Sequence, residues 1–152
     1  MKVTVRRPIA SQVDVNNVIT KVVQSSVGLQ GAQGLPGASG ATDETYNCSS
    51  SIAVANSVFI SGLNTIGLND SSSQATCDVL GVVISKPTST TAVVRINGQA
   101  DVFTGLIPAE RYWANTSGTI TSTPPISGVI QQVGKAVSTT ALQIAVKPRI
   151  IL

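Results

Sequence analysis

Residues 28–42 read GLQ GAQ GLP GAS GAT, with glycine at 28, 31, 34, 37 and 40 and nowhere between. At an average glycine usage of about 7%, four further hits at fixed spacing have odds of roughly 1 in 40,000 per starting glycine. The period is therefore not a by-product of composition. A triple helix of the collagen kind needs it, because every third residue faces an axis where only a hydrogen side chain fits. A flexible Gly/Ala/Ser linker would also be small and uncharged, but it has no need of period three. Pro36, third in its triplet, favours the extended polyproline geometry. At about 3 Å per residue the stretch predicts a rod of roughly 45 Å. It also predicts a parallel homotrimer, in which everything before and after the rod occurs in threes about one axis.

The rod divides the chain into an arm at 1–27, the rod itself at 28–42 and a head at 43–152. The arm alternates, with Val3, Val5, Val13, Val15, Val18 and Val22 spaced as β-branched residues on one face of extended strands. Strands this short have no core of their own, so they must pair with their trimer mates or with a foreign surface. Charge separates the arm from the rest. Lys2, Arg6, Arg7 and Lys21 stand against Asp14 alone, which accounts for the whole net charge of +3, and the other six bases balance the other six acids. A nucleic-acid surface would want a denser basic patch with stacking aromatics, and the arm has no aromatic residue. No nucleic-acid partner is expected.

The head reads as all-β, a sandwich or barrel of short apolar runs separated by turn signals. Strands are expected at 57–61, 65–68, 75–84, 91–96, 99–104, 111–114, 131–137, 141–146 and 149–152. Asn97-Gly98 is the strongest hairpin signal, because a two-residue type I′ turn needs positive φ at both central positions. Gly62, 71–73, Pro87, Pro108, Ser117-Gly118 and Pro124-Pro125 mark further turns. Charged residues are only 11% and aromatics 3%, so the core must be built from Val, Ile, Leu and Ala.

The chemistry is sparse. Without histidine there is no Ser-His or Cys-His couple. No phosphate loop or nucleophile elbow appears, and the seven carboxylates are scattered, so no enzyme and no cofactor are expected. Cys48 and Cys77 fit no zinc or redox spacing; they could bridge, but the favoured reading is two small buried apolar side chains. The longest apolar run, 79–84, is far too short to span a bilayer, and no apolar leader follows the first basic residues, so synthesis in the cytoplasm without a membrane is expected. Tyr112-Trp113, beside Glu110, Arg111 and Asn115, is the candidate glycan contact. On a strand the two rings must face opposite ways. The plainer reading makes Trp113 core filler and Tyr112 a partly covered strand residue.

The order of motifs carries a resemblance. Gly81-Val82-Val83 is followed by Gly98, Gly105-Leu106-Ile107-Pro108, Arg111-Tyr112-Trp113, Gly118-Thr119-Ile120, Pro124-Pro125, Val133-Gly134-Lys135-Ala136 and a hydrophobic Arg149-Ile150-Ile151-Leu152. Over residues 46–152 this resembles the small β-module of bacteriophage virion proteins, in which a β-arm and a Gly-X-Y stretch often precede the module. It departs from them at Trp113, where a second tyrosine is usual. The resemblance implies a trimeric, non-catalytic capsid-decorating protein or short head or tail fibre, located on the virion. Its arm (Val3, Val5, Arg6, Arg7, Val13, Val15) would anchor to the major capsid protein or another virion protein. The alternative is a tail or receptor-binding fibre whose head recognises a host-surface glycan.

Overall fold

The computed structural model describes residues 40–152. The anchor residues Val3, Val5, Arg6, Arg7, Val13 and Val15 lie outside the described residues, as do Gly28, Gly31, Gly34 and Gly37. Eleven strands follow in order: β1 Thr42–Asn47, β2 Ser57–Gly62, β3 Thr65–Leu68, β4 Gly81–Thr88, β5 Thr91–Asp101, β6 Arg111–Ala114, β7 Ile120–Thr121, β8 Val129–Ile130, β9 Gln132–Ala136, β10 Ala141–Ile144 and β11 Ile150–Ile151. The helical content among the described residues is one 3-10 turn, Thr116–Gly118. The fold is all-β.

Five strands close on themselves in the order β1-β3-β2-β4-β5, with β5 returning to β1, and form a small barrel. Its neighbours are antiparallel except β1 and β3, which meet in parallel at Asn47 and Thr65. The interior holds Tyr46, Cys48, Ile52, Val58, Ile66, Val83, Ala92 and Val94. A second layer continues from β5 through β10, β9 and β6 to β7, all antiparallel, and encloses a separate core that includes Val82, Ala100, Phe103, Tyr112, Val133, Leu142 and Ile144.

Strand β5 belongs to both layers, and the hand-over falls at Asn97-Gly98. From Thr91 to Asn97 its partner is β1; from Gly98 to Asp101 it is β10. Gly98 has φ +99°, and a Cβ there would lie 2.7 Å from Cα of Ala41. The chain entering the head thus crosses directly over this glycine. The expected hairpin at Asn97-Gly98 is corrected: residues 91–101 form one strand. Of the two positive φ angles a type I′ turn would need, only that of Gly98 is present, and it lies at a register shift between Thr42 and Asp43 of β1 against β5. The actual reversal lies between β4 and β5, where Thr88 pairs Thr91 and the hydroxyls of the two meet at 2.7 Å. Pro87, expected in a turn, sits inside β4 within an irregular part of the ladder, one of the few strand settings that tolerate proline.

Strand β4 is the wall between the two cores. Val82 faces the outer core and Val83 the barrel interior, both with no exposure. A strand covered on both sides has no polar face, which is why 79–84 reads as an unbroken apolar run. Each such valine removes from water a side chain worth about 1.5–3 kcal/mol. The strand expected at 75–84 begins only at Gly81. Ahead of it Asp70 Oδ1 accepts from the Ser72 N–H and hydroxyl, and the Thr76 and Cys77 amides donate back to Ser73 O, winding 70–77 into consecutive turns. Likewise the strand expected at 99–104 ends at Asp101. Strand β1 was not expected; it starts at Thr42, the last residue of the Gly-X-Y stretch, and buries only Tyr46. Lys86 clips the loop after β1 to the barrel, its ammonium donating to the carbonyls of Ser49, Ser50 and Ile52 at 3.2, 3.0 and 2.6 Å.

Candidate interaction surfaces

Alternation along β6 settles the two aromatic residues. Arg111 pairs Lys135, Tyr112 pairs Gly134, and Trp113 pairs both Gln132 and Thr121. Gly134 leaves no side chain opposite Tyr112, whose ring turns into the outer core and whose hydroxyl accepts the Ile107 N–H at 2.9 Å. Tyr112 is 7% exposed, so it presents no face to a sugar, and the assignment of Tyr112 as a glycan contact is corrected. The two roles are the reverse of the plainer expectation: Tyr112 fills the core and Trp113 is the half-buried strand residue. Of the period-three glycines Gly40 is described, and it stands exposed with open space where a side chain would project.

The entry of the chain into the barrel is fixed by one ion pair. Arg95 on β5 donates from Nε and Nη2 to the two carboxylate oxygens of Asp43 on β1, both at 2.7 Å, and from Nη1 to the carbonyl of Gln99. Side-chain exposures of 21% for Arg95 and 34% for Asp43 leave the pair in partial contact with water. The Arg95 hydrogen bond holds the Asp43 carboxyl below its ordinary range against a small opposing effect of burial. A carboxyl lowered in the folded state adds stability above its unfolded value and loses it as the pH falls through the folded value. Asp43→Asn should therefore cost no more than about 1 kcal/mol at neutral pH. It should also flatten the dependence of stability on pH below about pH 4. Denaturant unfolding on the two sides of that value checks it, and an equal loss on both sides would count against the pair.

Cys48 and Cys77 are free and buried, one in each core. Burial pushes the Cys77 thiol up, which makes it a poor nucleophile and suits a packing role.

Two surface features remain. The first is a ribbon in which β11 pairs β8, Ile150 opposite Ile130 and Ile151 opposite Val129, extended by the Leu152 N–H to the Gly128 carbonyl. Residues 126–132 and 150–152 have no charged side chain. Ile126 is 95% exposed, and Ile150, Ile151 and Leu152 keep 59, 53 and 60%. Three consecutive large apolar side chains exposed along one short ribbon, at 150–152, are unusual on a surface that stays in water. The second is a cavity of about 500 Å3 lined by Phe59, Ile60, Gln74, Asp78, Leu80 and Arg149. Arg149 is held by its Nη1, which donates to the carbonyls of Gln74 and Cys77 at 2.9 and 3.2 Å. Sequence reading missed this site. Its residues come from three segments up to ninety apart, and the expected strand at 75–84 would have put Asp78 and Leu80 on one extended run.

Among the described residues no group of three His, Cys, Asp or Glu is placed to hold a metal ion, and no helix is long and apolar enough to cross a membrane. Comparison with protein-family models, with curated proteins and with solved structures gave no match to this chain.

Proposed function

We propose that the chain is a structural virion protein of a bacteriophage, a trimeric capsid-decorating protein attached through its N-terminal arm. The observation that carries the reading is the run of period-three glycines placed between a β-alternating basic arm and an all-β head. The triple-helical rod demands three parallel copies. Five triplets are too few to hold three chains in register unaided, so the heads must associate as well. The exposed apolar side chains of Ile150, Ile151 and Leu152 at the ribbon support this, because such surface gains by burial against a copy of the chain. No catalysis belongs to the role. A tail or receptor-binding fibre is the second reading, and the head cavity favours it.

Light scattering on the purified protein should give three times the 15.6 kDa of one chain. Replacing Ile150 and Ile151 together by Asp should shift the mass towards one chain at micromolar concentration. The substitutions put two carboxylates per chain into a contact made by apolar side chains, and burying a charge without a partner costs several kcal/mol. A wild-type protein that is already monomeric sinks the architecture; a doubly substituted protein that stays fully trimeric places the contact elsewhere.

A further inference from the structure

We propose that the cavity beside β2 is a saccharide site that takes a neutral pyranose ring. It rests on the head alone and holds wherever on a particle the protein sits.

The floor of the site is an aromatic ring with one side already used. Phe59 on β2 lies opposite Gly67 on β3. A Cβ at position 67 would come within 2.8 Å of Cε1 of Phe59, so the ring rests on bare backbone, and any side chain there would lift it. The ring is half-buried, and it lines the cavity. An aromatic face immobilised from behind and open in front is the surface on which the axial C–H groups of a pyranose settle. Leu80 widens that apolar floor.

The walls are polar and planar. Gln74, Asp78 and Arg149 bring an amide, a carboxylate and a guanidinium, each able to engage two neighbouring hydroxyls at once. Arg95–Asp43 is the one ion pair among the described residues. Asp78 and Arg149 therefore share the cavity without closing on each other, and each is open to a ligand. A hydroxyl can donate to one and accept from the other, whereas an anion would face Asp78 and a cation would face Arg149. The balance of one acid and one base selects a neutral, hydroxyl-rich ligand.

The site is also built before the ligand arrives. Two backbone carbonyls hold Arg149, and the turns of 70–77 fix the backbone that carries Gln74. Ordering these groups in advance removes part of the entropy that binding would otherwise cost. The volume of about 500 Å3 falls within the range of roughly 300–1,000 Å3 typical of small-molecule sites.

The test is titration of the full-length 15N-labelled protein with galactose, glucose, N-acetylglucosamine and N-acetylgalactosamine, with glucuronate and glucosamine as charged controls. At least one neutral sugar should bind with a Kd on the order of 1 mM, as befits a ligand of so few atoms. It should move the amide signals of Phe59, Gln74, Asp78 and Leu80. Phe59→Ala and Asp78→Asn should each weaken that binding by about tenfold or more, and Trp113→Ala should leave it unchanged. Asp78 is exposed, so its variant keeps the fold and preserves the test if Phe59→Ala does not. The proposal is overturned if no neutral sugar moves those amides at its solubility limit. It is equally overturned if binding is lost with Trp113 instead, or if either charged sugar binds as tightly as the neutral ones.

Discussion

Gly98→Ala should lower the melting temperature of the head by about 10 °C, although it adds a single methyl group to a strand. Two costs coincide at this position. Alanine at φ +99° is forced into a region that L-residues avoid, at about 1–2 kcal/mol. Its Cβ would also stand 2.7 and 2.8 Å from the Cα and Cβ of Ala41, and relieving an overpacked contact costs typically about 1–3 kcal/mol. The neighbour is main chain at the entry to β1, so it cannot swing aside as the end of a long side chain could. For a domain of this size about 3 kcal/mol corresponds to a shift near 10 °C. Asn97→Ala is the control. Its side chain is exposed and its Oδ1 accepts only the Gly98 N–H at 2.8 Å, so it should cost about 1 kcal/mol or less. Scanning calorimetry on the pair decides. If the two variants melt together, the glycine is not the crossing point of the two layers.

The same dipeptide marks the limit of what local sequence can give. A type I′ turn and a bulged strand both ask for glycine at positive φ, so Asn97-Gly98 is ambiguous from its neighbours alone. What resolves it is distant: Ile144 arrives opposite Gly98 and carries the strand on. Strands with clear β-branched patterns and punctuation, such as β2, β3 and β6, were legible because their faces differ. Strand β4 was legible in kind and misplaced in extent, since burial on both sides erases the alternation that marks a boundary, and Val79 and Leu80 ahead of Gly81 prolong the apolar run. At Tyr112-Trp113 alternation correctly separated the two rings but could not say which went inside. The register with Gly134 made that choice. The cavity was invisible for a related reason: Phe59, Asp78 and Arg149 are ordinary strand and loop residues until the fold brings them together.

Removing the arm should abolish attachment to the particle while leaving the trimer intact. Residues 1–27 carry the whole net positive charge and alternate in β fashion without a core. A strand of this kind leaves backbone N–H and C=O groups to be satisfied elsewhere, and adding to the edge of a partner's sheet satisfies them. Val3, Val5, Val13 and Val15 would supply apolar contacts on one face. Arg6 and Arg7 would meet acidic groups on the shell, contributing orientation and association rate more than affinity. A truncated chain beginning at Val27, mixed with particles that lack the native protein, is expected to sediment free of them at concentrations where the full chain saturates. Its mass by light scattering should remain that of three chains. Raising the salt should slow attachment of the full chain without releasing what is already bound, because screening acts on the exposed arginines and leaves paired backbone untouched. A truncated chain that decorates as well as the full one would make the β-head the attachment face and reverse the orientation of the molecule on the shell. A truncated chain that falls apart into monomers would instead mean that the arm strands wrap their own trimer and close the base of the rod.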